Sequence, residues 1–332
     1  MLDASSQGLR DGFRGALLGT AVGDALGRPV KGWSSARIAR EHGEVRDLLG
    51  HPRGRYTEDT QMMIAVAEWV LDDGALDGGS FAERIQREHD PARDYGRTTT
   101  DFLRRLRGGE GWETAAEHVF ARGSFGNGAA ARIAPCALAH HRDREALDRV
   151  VETCAAVTHG HPLGIAGAVL QARQIALALG RRDEPLDPLS FVVELRSTAR
   201  SIEFRQKLRA VEECLERRVP PSVVRDRLGA NATALGSVPT ALYCFLSQAE
   251  SFEAAVVFAV ALGGEADSIG AMTGAIAGAY HGLSVIPARW RAGIEDGPKG
   301  ASYIERLADR LFEQATLRAA AQPKSLLRHP ER

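Results

Sequence analysis

The sequence predicts an all-α protein, and two observations carry that prediction. Apolar residues recur at steps of three and four along nearly the whole chain, as in AEHVFARG, LDRVVETCAAV, IAGAVLQARQIALAL and FEAAVVFAVAL, the spacing that lines one face of an α-helix. Alternating apolar and polar runs bounded by turn residues, the mark of a half-buried strand, are scarce. With 332 residues, 44% hydrophobic and 26% charged, the chain has the composition of a globular protein with a large core, which excludes disorder, collagen and small disulfide scaffolds.

Taken in order, the periodicity predicts helices over 9–26, 60–72, 79–89, 98–106, 112–120, 129–140, 145–157, 162–180, 187–198, 203–217, 222–228, 238–249, 252–262, 268–282 and 302–320. The first contains GALLGTAVGDALG, with Gly15, Gly19, Gly23 and Gly27 at every fourth position. The helix 268–282 repeats the device in GAMTGAIAGAYHG, through Gly270, Gly274, Gly278 and Gly282. A glycine inside a helix costs roughly 0.8–1 kcal/mol relative to alanine, so a bare stripe needs a return, and very close approach of another backbone supplies it. These two helices are therefore expected at the centre. Neither is long or apolar enough to be read as a membrane GxxxG segment.

Length alone allows two domains of roughly 150 residues. The irregular stretches 28–56 and 181–188 lack the composition of a tether, so one domain over 8–320 is expected, with 321–332 as a flexible tail after the periodicity ends. Lys+Arg 42 against Asp+Glu 43 leaves a net charge of -1, which gives no bulk reason to bind nucleic acid or an anionic membrane. Cys136, Cys154, Cys214 and Cys244 have no metal-ligand spacing and read as reduced core thiols. The start, MLDASSQGLRDGFRG, lacks the basic and apolar regions of a secretory signal, and no window approaches 18 uncharged apolar residues, so a cytoplasmic location is expected.

Four segments carry possible chemistry. Thr57, Glu58 and Asp59 stand ahead of helix 60–72, and Glu265, Asp267 and Ser268 follow a Gly-Gly turn at the start of helix 268–282. Each set reads either as helix capping or, as a pair on opposite sides of one site, as oxygen ligands for two hard cations such as Mg²⁺ or Mn²⁺. Neither set contains His or Cys, which argues against structural zinc. In RGSFGNGAAARIAP, Ser124, Phe125, Gly126 and Asn127 form a Gly-rich loop, either a plain turn or a cradle for phosphate or ribose. It matches neither the Walker nor the Rossmann spacing. In VTHGHPLG, His161 reads as a cap, while His159 is the better ligand-contact candidate, because a neutral imidazole can hydrogen-bond phosphate or ribose.

The order GALLGTAVGDALG, TEDTQMM, GSFGNGAAARIAP, TH with GIAGAVLQA, and GGEADSIGAMTGAIAGAYHG resembles the ADP-ribosylglycohydrolase family across about residues 12–290. The resemblance implies a compact all-α domain with two divalent cations, Mg²⁺ or Mn²⁺, at its centre, held by Thr57, Glu58, Asp59, Glu265, Asp267 and Ser268. It implies hydrolysis at the anomeric carbon of a ribose, with Glu58 and Asp59 as catalytic groups. By the same resemblance, Ser124, Phe125, Gly126 and Asn127 line the diphosphate and ribose path, His159 reaches a phosphate and Tyr280 faces the adenine. For Phe125 and Tyr280, plain core packing is the competing reading.

The chain departs from the family pattern at Glu58 and Glu265, where Asp is usual, at Ser268, where Thr is usual, and at Lys31, where GDALGRPVKGW aligns with an acidic residue. A cation at 31 is a poor metal neighbour and cannot act as a carboxylate base. The leading expectation is a Mg²⁺-dependent N- or O-glycosyl hydrolase acting at the C1 ribosyl linkage of an ADP-ribosylated protein or small molecule. The alternatives are a hydrolase of an ADP-ribosyl or ribosyl metabolite, and an inactive ADP-ribose-binding protein.

Overall fold

The computed structural model describes residues 3–50, 54–72, 77–119 and 121–321. Among them, α1 (Ala4–Gly27), α2 (Ser35–His42), α3 (Glu58–Leu71), α4 (Gly78–Glu88), α5 (Arg97–Arg107) and α6 (Trp112–Val119) come first. Next are α7 (Gly128–Ala131), α8 (Ala134–Ala139), α9 (Arg144–Ala156), α10 (Pro162–Gly180), α11 (Pro188–Thr198) and α12 (Ile202–Arg217). The chain ends with α13 (Pro221–Leu228), α14 (Val238–Ser247), α15 (Phe252–Ala261), α16 (Ala266–His281), α17 (Ala288–Gly293) and α18 (Ala301–Ala321). Short 3₁₀ turns occupy Arg28–Val30 and Ala234–Gly236, and no strand is present among the described residues. The all-α expectation holds.

The glycine stripes set the centre. A Cβ on Gly15 would fall closer than 3.0 Å to the carbonyl oxygen of Gly278, one on Gly19 to that of Gly274, and one on Gly23 to that of Gly270. Partners fall by four as positions rise by four, so α1 and α16 lie antiparallel, backbone on backbone, along their whole stripes. Packing at that range loses the glycine propensity but gains dense contact on both faces. Around this pair the buried apolar side chains form one core cluster that runs from Phe13 to Ala315.

Helix α10 is long and apolar enough by composition to cross a bilayer, yet 61% of its apolar window is buried inside the protein. Two of its polar side chains are anchored there, while Gln174 is buried with no hydrogen bond. Gln171 Nε2 donates to the Met272 carbonyl at 3.0 Å, and Arg173 makes a buried two-pronged contact with Asp148, with Nε to Oδ1 at 2.9 Å. It is a core helix.

Three local differences from the sequence reading have clear causes. The helix expected over 129–140 is two, α7 and α8, because Pro135 has no N–H to give and its ring would strike the carbonyl of Ala131. Helix α2 lies in the stretch read as irregular; Ile38 is its one buried residue, so no apolar period announces it, and Ser34 Oγ starts it by accepting from Arg37 N–H at 3.2 Å. Helix α17, six residues behind Pro287, also lacked a period and buries Trp290. Of the tail expected over 321–332, residue 321 ends α18, and the rest lies outside the described residues.

Candidate active site

Seven of the α-helix starts among the described residues are capped by their own Asp or Ser, Ser34 of α2 being one. Asp3, Asp77, Asp143, Asp187, Ser201 and Ser251 each accept from an N–H two or three residues on. At the start of α16, as at those of α5, α7, α8, α13, α14 and α17, the cap position makes no side-chain capping bond, and here that residue is Glu265. At the start of α3 the roles divide: Thr57 Oγ1 accepts from Asp59 N–H at 3.2 Å, while the carboxylates of Glu58 and Asp59 point elsewhere. Capping therefore explains Thr57 and not the four acidic groups.

The two acidic segments meet. Ser268 Oγ donates to Asp59 Oδ2 at 2.6 Å across 209 residues of sequence. Beneath them lies Asp24 of α1, fully buried, whose Oδ2 accepts from Thr57 N–H at 2.9 Å, Thr60 N–H at 3.1 Å and the Thr60 hydroxyl at 2.6 Å. Asp24 is thus the remote cap of α3. The sequence reading missed it, although it is the one charge between Arg14 and Arg28 and stands inside the glycine stripe.

Lys31 closes the cluster from the side. Its Nζ lies 2.7 Å from Asp267 Oδ2 and 3.8 Å from Glu265 Oε2. The backbone sets this placement, because Gly32 N–H donates to the Gly264 carbonyl at 2.7 Å and Gly264 N–H donates back to Trp33 at 2.8 Å. Gly263 and Gly264 have φ of 69° and 67°, and a Cβ on either would strike a facing carbonyl, so glycine is required at both.

Burial and crowding shift these groups together. Burial, then the charges of Asp267 and Asp24, push Asp59 well up from the ordinary carboxylate value. Burial and Asp267 raise Asp24 to about 6, against the pull of the Thr60 and Thr57 hydrogen bonds. Burial raises Glu58 to about 7, although Gly96 N–H donates to its Oε1 at 3.0 Å. Burial also raises Glu265, opposed by Lys31. For Lys31 burial works against the charge, but Asp267 and Asp59 outweigh it and keep the ammonium protonated.

A pocket of about 240 Å³ opens over the cluster. Glu58, Asp59, Glu265, Ser268 and Lys31 line one end. Ser124, Gly126, Asn127, His159 and Arg132 line the other, with Gly96, Thr98 and Thr99 along the wall. Arg132 sits in the break made by Pro135, 1% exposed, and donates to the Cys154 carbonyl at 2.9 Å. Burial and Arg132 lower His159 to about 3, so the ring is neutral, with Nδ1 2.7 Å from the Thr158 hydroxyl. His161 caps α10, its Nδ1 accepting from Leu163 N–H at 3.1 Å.

Not every expected residue reaches the pocket. Thr57 and Asp267 are buried behind it. Phe125 is 46% exposed at the rim and packs edge-on against His161, with ring centroids 5.4 Å apart, so it is neither a pocket wall nor core. Tyr280 corrects the sequence reading: thirteen residues along α16 from Asp267, about 20 Å at helical rise, its hydroxyl donates to the Glu184 carbonyl at 2.8 Å, far from any ligand here. Arg132, Thr98 and Thr99 were missed, the first although it interrupts an apolar run and the others although they form a TTT sequence. A larger groove of about 680 Å³ lies between residues 186–189 and 243–250. Of its three carboxylate residues, Asp187, Glu216 and Glu250, the first is spent capping α11.

The donor set favours a small, hydrated cation. Among the described residues no three His, Cys, Asp or Glu side chains converge as a complete metal cage. Mg²⁺ needs only one or two carboxylates, because it keeps several waters. Oδ1 of Asp267 and Oδ1 of Asp24 are buried without a hydrogen-bond donor, a costly state that a cation relieves.

Known proteins resemble this chain in sequence and fold. The chain matches the ADP-ribosylglycohydrolase family over residues 5–321. An uncharacterized protein of Archaeoglobus fulgidus is 36% identical over 312 residues, 92% of this chain and 97% of its own length. The ADP-ribosylhydrolase ARH3 of Danio rerio is 32% identical over 340 residues, 91% of this chain and 90% of its own. A solved structure described as an ADP-ribosylglycohydrolase-related protein complex superposes with a TM-score of 0.71 at 28% identity, covering 93% of this chain and 99% of the other. With the acidic helix starts facing the Gly-rich loop across one pocket, the chain belongs to the ADP-ribosylglycohydrolase family of glycosyl hydrolases.

Proposed function

We propose that the protein hydrolyses the glycosidic bond at ribose C1 of an ADP-ribosylated substrate, with Mg²⁺ as the supporting cation. One observation carries this reading: the pocket is polar in opposite senses at its two ends. At the acidic end stand the carboxylates of Glu58, Asp59 and Glu265; at the other, Asn127 Nδ2 and Arg132 Nε are buried without acceptors. A ligand that offers hydroxyls to the first end and phosphate oxygens to the second satisfies both, and an ADP-ribosyl group does so.

Asp59 would hold the cation, with the Ser268 and Thr57 oxygens beside it. When bound, such an ion polarises sugar oxygens and lowers the pKa of a water. The remaining work belongs to the chain. Ser268 fixes the Asp59 carboxylate by donating to Oδ2, and Gly96 N–H fixes Glu58. Glu58 lines the pocket and is placed to take the proton of the attacking water. Neutral His159, with Nδ1 beside the Thr158 hydroxyl, offers Nε2 toward the loop end, where it can meet a phosphate without an added charge.

The pocket volume favours a second reading of the substrate. About 240 Å³ is below the roughly 300–1,000 Å³ of drug-sized sites. It encloses a ribosyl phosphate more readily than a whole ADP-ribosyl group, whose base would lie outside, near Phe125. Turnover assays separate the two. Release from ADP-ribosylated peptides, but not from simple ribosides, supports the first; the reverse pattern supports a ribosyl metabolite. Asn127→Ala should raise KM for the ADP-ribosyl substrate and leave KM for a nucleoside unchanged.

A further inference from the structure

Five carboxyl groups, those of Asp24, Glu58, Asp59, Glu265 and Asp267, crowd one end of the pocket, and the ammonium of Lys31 is set among them. The Lys31 side chain is 38% exposed, and its backbone is anchored beside the acidic segments. It follows the 3₁₀ turn Arg28–Val30, and the reciprocal Gly32–Gly264 and Gly264–Trp33 hydrogen bonds bind its turn to the loop that carries Glu265 and Asp267. The isolated bridge between Ser34 and Gly263 extends the same attachment. The backbone of Lys31 is thus held beside that loop, and its Nζ lies 2.7 Å from Asp267 and 3.8 Å from Glu265. Asp59 also feels the charge of Lys31 but makes no ion pair among the described residues; its Oδ2 accepts from the Ser268 hydroxyl.

We propose that the Lys31 ammonium is a built-in cation of this site, standing between Asp267 and Glu265 where a second metal ion would otherwise bridge them, so that the protein takes one divalent cation, on the Asp59 side. This rests on the divalent-cation reading above. An ammonium is a compact point charge with three donors, suited to neutralising two neighbouring carboxylates, and its charge repels a divalent ion brought between the same two groups. One ammonium also leaves most of the acidic charge uncompensated, so a divalent ion is still required. Lys31 acts here as a positioning residue, holding Asp267 and Glu265 in place without touching the reacting bond.

Metal stoichiometry tests the proposal without any substrate. Purified protein is stripped with EDTA and titrated with Mn²⁺, followed by calorimetry and by electron paramagnetic resonance. The wild type is expected to bind one ion per chain with a mononuclear spectrum. Lys31→Glu is expected to bind two, with the spectrum of an exchange-coupled pair. Lys31→Gln, which removes the charge but adds no ligand, controls for misfolding: it should melt at least several degrees lower in EDTA than the wild type and recover most of that loss with Mn²⁺. Two ions in the wild type, or one ion in a folded Lys31→Glu variant, overturn the ammonium proposal and leave the divalent reading intact. No ion in the wild type, with a melting temperature indifferent to EDTA and Mn²⁺, overturns the divalent reading and this count with it.

Discussion

Asp24 shows how much one side chain can organise. Its Oδ2 gathers three donors at the start of α3, so a single carboxylate from α1 both caps that helix and sets where Glu58 and Asp59 emerge. Asp24→Ala strands all three donors inside the protein and should lower stability by about 2–4 kcal/mol, read from the midpoint of urea unfolding; a loss under about 1 kcal/mol would mean that the cap is dispensable. Glu58 is a different case, because its contacts are modest and its value is positional. Glu58→Gln keeps an oxygen for the Gly96 N–H but cannot take a proton. It should lower kcat by roughly 10²–10⁴ with little change in KM or melting temperature. A variant that retained wild-type kcat would remove Glu58 from the proton path.

Between elements, the same residue type has opposite effects at different places. Gly274 faces the carbonyl of Gly19 at a range no Cβ tolerates, whereas Gly180, at the end of α10, has open space around it. Gly274→Ala should therefore destabilise by several kcal/mol, Gly274→Leu should prevent folding, and Gly180→Ala should stabilise by up to about 0.5–1 kcal/mol. Thermal melts of the three variants decide it, and a neutral Gly274→Leu would refute the backbone-on-backbone packing. The ends of the chain are joined by charge: Asp309 of α18 accepts from Arg10 Nε and Arg14 Nε at 2.7 Å each. Although burial works the other way, these guanidinium hydrogen bonds hold Asp309 down at about 2. A lowered folded-state pKa contributes stability above the unfolded value near 3.8 and loses it as pH falls toward 2. Because the pair is partly solvated, the contribution is about 1 kcal/mol. Asp309→Asn should thus be less stable than wild type at pH 6 and equal to it near pH 2.

At the scale of the molecule, one core cluster joins all these parts, and α1 touches helices from both halves of the chain. Calorimetry should show a single unfolding transition, and two separable ones would contradict the single-domain reading. Ligand at about 100 times its Kd should add about 2.7 kcal/mol to that stability. A Mg²⁺-dependent shift with ADP-ribose is the expected result.

The sequence by itself determined the fold class, fourteen of its helices near their observed ends, the central pair and the acidic and Gly-rich segments of the site, because each rests on local periodicity or on residue types a few positions apart. Tertiary structure decided the rest. Whether Thr57 caps or Asp59 awaits a ligand depends on Asp24 and Ser268, which come from other helices. Tyr280 was misplaced because a sequence motif has no length, whereas a helix separates its two ends by its rise per residue. The partner of Lys31 was settled by hydrogen bonds between loops more than 200 residues apart, and no pattern of spacing along one strand of sequence encodes a contact of that kind.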